Sequence, residues 1–113
     1  MEKTVKIGNY EVAMKCSGLT PKRYRDLFGK DVIVELARLS KYMNADGTLN
    51  LENDIDMSVI ERLAYTMAMQ GGETADYESW LDKFDATDIF DSMGEIIALW
   101  LASNKTLSNA KKK

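Results

Sequence analysis

The first fifteen residues alternate between apolar and polar side chains around a Gly-Asn pair. Residues 3–15 read KTVKIGNYEVAMK, and Gly8-Asn9 is a two-residue turn whose central positions tolerate positive φ. The turn places the apolar side chains on one face: Val5, Ile7, Tyr10, Val12 and Met14. Lys6 and Glu11 then face each other on the other side as an opposite-charge pair. The pattern predicts a β-hairpin whose apolar face covers helices or another subunit, because an isolated hairpin is marginally stable.

From residue 20 onward, apolar residues recur three and four positions apart, which is the helical period. Thr20 is the expected N-cap of a first helix, with Pro21 at its first helical position, and Gly29 ends it. Asp31 is expected to cap a second helix with the sequence VIVELARLSKYM. The stripe predicted to face the core in this second helix consists of Ile33, Leu36, Ala37 and Leu39.

A polar loop and a third helix follow. Residues 44–56 read NADGTLNLENDID, which is typical of a loop. Ser58 and Glu61 have the spacing of a capping box, so they predict the start of a helix that ends at Gly71-Gly72. The apolar stripe expected on one side of this helix consists of Ile60, Leu63, Ala64 and Met67.

The last two predicted helices begin at Thr74 and Thr87, each of which can act as an N-cap. The first has apolar residues at helical spacing, namely Tyr77, Trp80, Leu81 and Phe84. The second has a stripe made of Ile89, Met93, Ile96, Ile97 and Trp100. Residues 106–113 are expected to be a disordered basic tail. The sequence thus predicts a mainly α fold: one small helical domain over residues 1–105, with about five helices and an N-terminal β-hairpin.

Composition narrows the classes of function. A chain of 113 residues with 45% apolar and 29% charged side chains fits one globular domain. Its longest apolar run, residues 96–102, is far short of the ~20 residues that span a bilayer, so we expect neither a membrane span nor a signal peptide. The single Cys16 rules out an internal disulfide and suits a reducing cytoplasm. Histidine is absent, which removes the commonest general base and nitrogen ligand.

The short motifs that could indicate a metal site or a catalytic site lack residues that such sites require. Residues 44–47, NADG, resemble the middle of a calcium loop, but Tyr42 and Asn53 then stand where acidic ligands belong. Aspartates recur every third residue from Asp82 to Asp91, and without histidine a solvated helix surface explains them better than a metal site. We therefore expect no catalytic residue, no metal, no cofactor and no enzymatic activity.

Charge is divided unevenly along the chain. Residues 1–41 carry a net +4, residues 42–104 a net −11 and residues 105–113 a net +4. Such a chain can pair its halves within one molecule or head to tail with copies of itself, and solvated faces are the plain alternative. Self-association is therefore expected. A dominant basic face, as duplex DNA requires, is not evident, and residues 22–25, KRYR, are a weak signal for nucleic acid.

An apolar surplus lies near the C-terminus. In residues 96–102, IIALWLA, the apolar side chains cover the whole helix circumference, so this helix is either buried on all sides or offers its second face to a partner. The residues predicted to bind a partner are Trp80, Ile97, Leu99, Trp100 and Leu101. On this assignment, Leu99→Asp abolishes partner binding and leaves the monomer folded.

Four segments together resemble a known family. They are the opening KTVKIGNYEVAMKCSGLTPKRYRDLFGKDVI, the middle IERLAYTMA, the motif YESWLDKFD, and DIFDSMGEIIALW with the terminal KKK. In this order, over nearly the whole chain, they look like the tail assembly chaperones of siphophages that infect Gram-positive bacteria. None of the segments is a catalytic signature, so the resemblance is one of overall pattern.

The resemblance implies a function that composition and spacing do not. Such chaperones coat or solubilise the tape measure protein, which sets tail length, while tail tube subunits polymerise around it. They act in the host cytoplasm and are absent from the mature virion. Many have a longer frameshifted form whose added domain recruits the tail tube protein, and residues 111–113 fit a slippery run of AAA codons. The alternatives are a small DNA-binding regulator or antitoxin that uses the Lys22–Arg25 helix, and a virion component.

Overall fold

The computed structural model describes residues 1–41 and 56–111, and for residues 104–111 it describes the backbone alone. Within these ranges the chain forms an N-terminal hairpin followed by six helices, against about five expected, so the predicted mainly α fold with a β-hairpin is confirmed. The elements are β1 (Glu2–Ile7), β2 (Tyr10–Lys15), α1 (Thr20–Phe28), α2 (Val32–Ser40), α3 (Ser58–Gln70), α4 (Tyr77–Leu81), α5 (Asp88–Asp91) and α6 (Met93–Lys111). The predicted loop over residues 44–56 lies, except for Asp56, outside the described residues.

The hairpin has the predicted antiparallel register, with Ile7 opposite Tyr10 and Lys6 opposite Glu11. Gly8 takes a φ of +59° and Asn9 does not take a positive φ, which is the pattern of a turn with glycine at its first central position. The inner face of the hairpin is buried against the helices, through Val5, Ile7, Val12 and Met14. Strand β2 lies against α3, and its Ala13 carbonyl oxygen sits where a Cβ on Gly71 would be.

Helix α3 is the centre of the domain. It contacts α1, α2, α4, α5, α6 and β2, so nearly its whole circumference is buried. The predicted stripe of Ile60, Leu63, Ala64 and Met67 is buried as expected, and Arg62, Tyr65 and Thr66 are buried with it. The predicted capping box is wrong, because Ser58 is already helical and the Asp56 carboxylate accepts from its N–H instead.

The boundaries of α1 and α2 follow the sequence signals closely. Thr20 is the first helical residue rather than the N-cap, and its hydroxyl donates to the Gln70 side chain at 2.6 Å. Gly29 ends α1 with a φ of +67°, which a residue with a Cβ adopts only with strain. Asp31 caps α2 as predicted, and its carboxylate accepts from the N–H groups of residues 33 and 34.

The predicted inward stripe of α2 is wrong at two positions. Ile33 and Ala37 point to solvent, whereas Val32 and Leu39 are buried and Leu36 packs against the core. The physical reason is Glu35, whose carboxylate is drawn inward to pair with a buried cation on α3. A helix that turns residues 32, 35 and 39 inward must turn residue 33 outward.

The C-terminal part differs from the prediction in three ways. Asp76, not Thr74, caps α4, because its carboxylate accepts from the Ser79 N–H at 2.7 Å. The single helix expected after Thr87 is divided into α5 and α6 at Ser92, whose hydroxyl donates to the Lys6 carbonyl of the hairpin. Helix α6 then continues to Lys111, past the expected boundary at residue 105, and residues 103–113 contain no glycine or proline to end it.

Candidate functional site

The structure separates the five residues predicted to bind a partner. Trp80, Leu99 and Trp100 lie in the core, with 0%, 4% and 7% of their surface exposed. Ile97 is half-buried, and Leu101 is 53% exposed. Helix α6 packs on β1 and α3 through the face that bears Leu99 and Trp100. Of the two explanations of the apolar run over residues 96–102, burial in the core therefore applies to most of the run. Of the five residues predicted to bind a partner, Leu101 alone is freely accessible.

Trp80 lies within a continuous cluster of aromatic rings. Its indole contacts Tyr65 and Phe84, with ring centroids 5.5 and 5.0 Å apart. The cluster continues through Tyr77 and Phe28, and it ties the short helix α4 to α1 and α3. Edge-to-face ring pairs of this kind add to the stabilisation that area burial supplies. Trp80 is thus a structural anchor of the described core, and its side chain is not exposed in the single chain.

A buried ion-pair network holds α1, α2 and α3 together. Arg62 of α3 donates from Nε to the Tyr24 hydroxyl and from Nη2 to Glu35 Oε2, both at 2.8 Å. The Tyr24 hydroxyl in turn donates to the other Glu35 oxygen, and Asp56 accepts a longer bond from Arg62 at 3.3 Å. Because Tyr24, Glu35 and Arg62 belong to three different helices, the network fixes how α2 is presented. No sequence motif predicts this network, because Tyr24 and Glu35 are 11 residues apart and Glu35 and Arg62 are 27 residues apart.

Burial changes the acidity of two phenols near this network. Removal from water, reinforced by the hydrogen bond to Glu35, raises the pKa of Tyr24 well above its ordinary range. Removal from water also raises the pKa of Tyr77 to about 12. Both groups are therefore neutral in the folded protein over a wider pH range than in the unfolded chain.

This difference predicts a loss of stability in alkali. A group with a raised pKa contributes its full stabilisation below its unfolded pKa of about 10, and loses it as the pH rises towards the folded value. We expect the urea midpoint to fall as the pH rises from about 10 towards about 12. Tyr77→Phe should make this fall shallower, because phenylalanine has no group that ionises, and the remaining fall comes from Tyr24 and Tyr65, whose pKa values are also raised. An equally steep fall in Tyr77→Phe would contradict the assignment.

Among the described residues, and apart from Met1 and Tyr10 of the hairpin, the exposed large apolar side chains lie mainly on three surfaces. The first, here called the α2 face, consists of Ile33, Val34 and Ala37, with Ile33 and Val34 58% and 45% exposed. The second is a groove of about 480 Å³ between α1 and α3. The groove is lined by three exposed apolar side chains, by two polar ones and by two cations, namely Leu19, Leu27, Met69, Thr66, Gln70, Lys15 and Arg23. The third, the α6 face, consists of Glu95, Ala98 and Leu101.

Sequence reasoning missed the groove and the α2 face. A signal for the groove was present, because Leu19, Arg23 and Leu27 are spaced by four residues and so share one side of a helix. Two residues of the α2 face, Ile33 and Ala37, were predicted to face the core, because nothing in the sequence indicates that Glu35 turns inward. Exposed apolar clusters on a small domain are typical of protein-binding surfaces.

The basic cluster at residues 22–25 does not form one surface. Lys22 is paired with Asp26 at 2.7 Å, Tyr24 is buried in the ion network, and Arg23 lines the groove. Arg23 and Arg25 are both exposed, and neither forms an ion pair recorded among the described residues. This arrangement lacks the continuous basic face that phosphate contacts require.

Searches for other kinds of site return nothing in the described ranges. Over residues 1–41 and 56–111, no three acidic or cysteine side chains come close enough to hold a metal ion. None of the helices in these ranges is long and apolar enough to cross a membrane.

Comparison with protein families, with curated proteins and with solved structures finds no match for this chain. The likeness to tail assembly chaperones therefore rests on the sequence motifs alone.

Proposed function

We propose that this protein is a tail assembly chaperone that binds and solubilises a phage tape measure protein in the host cytoplasm. In this role it leaves the assembly before the virion is complete. A longer frameshifted form would carry the contact to the tail tube protein. The four sequence segments that resemble the family support the proposal, since they follow in order over nearly the whole chain.

The structural observation that carries the proposal is the α2 face. A tape measure protein is a very long helical chain with apolar stripes, which is insoluble if left bare. A small domain masks such a stripe by offering an exposed apolar surface on a rigid element. Ile33 and Val34 are the adjacent pair of large apolar side chains that α2 exposes. The ion pair between Glu35 of α2 and Arg62 of α3 holds that helix in place.

Replacing exposed apolar residues of the α2 face by charged ones tests whether this face binds the tape measure protein, here called the client. In co-expression with the tape measure protein of the same phage, Ile33→Asp/Val34→Asp is expected to reduce the co-purified soluble client at least about tenfold, because two exposed anchors are lost. Arg25→Asp, which reverses the charge at an exposed position of α1, is the control and should retain the client. Circular dichroism should show both variants folded. Equal retention by the double variant and the control would contradict the proposal.

The family assignment has a second, independent test. The gene with its native downstream DNA should yield two products on intact-mass spectrometry: the 113-residue chain and a minor longer species with the same N-terminus. A single product would remove the frameshift component of the proposal.

A further inference from the structure

Two of the exposed surfaces carry opposite charges that have no ion-pair partner within the described chain. In the groove, Lys15 and Arg23 lie beside the apolar side chains of Leu19, Leu27 and Met69, which remain 42%, 40% and 37% exposed. Neither cation forms an ion pair with any residue in the described ranges, whereas nearby Lys22 does. The groove is therefore an apolar surface with positive charge beside it.

The α6 face is its counterpart in shape and charge. Leu101 projects from this face, and the small side chain of Ala98 leaves the centre of the face shallow. Glu95 lies six residues before Leu101. Asp91, at the end of α5, adds a second exposed carboxylate at the same end. No ion pair is recorded for Asp91 or Glu95 within residues 1–41 and 56–103. The α6 face is thus an apolar helix surface with a negative end.

We propose that the groove receives the α6 face of a second copy of this chain, so that protomers join head to tail. Both surfaces are exposed on one protomer, so they do not fill each other within the molecule. The spans agree, because Glu95 to Leu101 covers about 9 Å of helix and Leu19 to Leu27 about 12 Å. Leu101 enters between Leu27 and Met69, and the carboxylates lie over the two cations of the groove.

The α2 face of a second copy would fit the groove less well than the α6 face does. Its neighbours Lys30, Arg38 and Lys41 are exposed cations, which would lie against Lys15 and Arg23 and repel them. A contact between two different surfaces leaves one groove and one α6 face free at the ends, so association continues beyond a dimer. This proposal does not depend on the chaperone function, because both of its surfaces belong to this chain.

Sedimentation of the purified full-length chain gives the first test. Between about 10 µM and about 1 mM the weight-average mass should rise above 12.8 kDa, since a contact of this size is weak. Raising the salt from about 0.05 M to about 0.5 M should lower that mass, because charge pairs at the groove are screened. A monomer at every concentration overturns the proposal, and so does association that salt leaves unchanged.

Two single substitutions, each confined to one surface, give the decisive test. Leu27→Asp disables the groove and Leu101→Asp disables the α6 face, and both positions are exposed enough to accept a charge without unfolding. Each variant alone should associate at least about tenfold more weakly than the wild type. An equimolar mixture should form a dimer that grows no further, because the intact α6 face of one variant meets the intact groove of the other.

The matched control is Ile33→Asp, the same kind of change on the α2 face. It should associate like the wild type even where it loses a client, which separates this proposal from the proposed function. If Leu101→Asp associates like the wild type, or if the mixture stays monomeric, the α6 face is not the occupant. If Ile33→Asp alone abolishes association, the interface is the α2 face and the proposal is overturned.

Discussion

Replacing Leu99 by Asp is expected to unfold the domain. Leu99 is 4% exposed and packs from α6 into the core beside Ile96 and Trp100. An aspartate there would either bury an unpaired charge or force the helix away from the core. The cost is several kcal/mol, against a total stability of about 5–15 kcal/mol for a typical domain. This result would be the opposite of the partner-surface expectation that the sequence favours.

Leu101→Asp is the matched control for this experiment. It makes the same change two residues later on the same helix, at a side chain that is 53% exposed. Its free energy of unfolding should stay within about 1 kcal/mol of the wild type, as is usual for surface substitutions. Urea denaturation, followed by circular dichroism and by the fluorescence of the buried Trp80 and Trp100, measures both variants. A folded Leu99→Asp with wild-type stability would show that Leu99 is not a core residue.

Removing the buried cation should have the second largest effect. Arg62→Ala is expected to destabilise the protein by about 3–5 kcal/mol, because it leaves the Glu35 carboxylate and the Tyr24 hydroxyl without their shared donor. The loss should show as a lower urea midpoint. It should also loosen α2, since Glu35 is the polar link between that helix and α3.

A double-mutant cycle separates the pair from its surroundings. Glu35→Ala combined with Arg62→Ala should cost less than the sum of the two single changes by at least about 1 kcal/mol, because the second change removes a group that the first left unpaired. Lys22→Ala breaks an exposed pair with Asp26 and is the control, with no measurable loss expected. Additive single costs in the cycle would mean that Arg62 and Glu35 do not interact.

These experiments divide the molecule into buried positions, where a substitution strongly destabilises the domain, and exposed positions, which tolerate a new charge. Leu99 and Arg62 belong to the first group, and Ile33, Leu27 and Leu101 to the second. The division matters for function, because loss of client or of self-association is informative only in a variant that still folds.

Local signals in the sequence determined the elements whose cause is local. The Gly8-Asn9 turn set the hairpin and its register, because alternation about a two-residue turn leaves one pairing that buries the apolar face. Gly29 and Asp31 set the junction of the first two helices, since left-handed backbone and side-chain capping act within a few residues. The central stripe of α3 was also readable from its period.

The tertiary structure alone decided which apolar faces stay exposed. Leu99 and Leu101 are both leucines in one apolar run, and only the docking of α6 on β1 and α3 buries the first and leaves the second in water. Ile33 is turned outward because Glu35 meets Arg62, a residue 27 positions away along the chain. The groove forms where α1 and α3 pack together, because it is lined by residues 19–27 and 66–70, which are distant in sequence. Each outcome depends on residues that are distant in sequence. Local periodicity therefore predicts the helices but not which of their faces stay exposed.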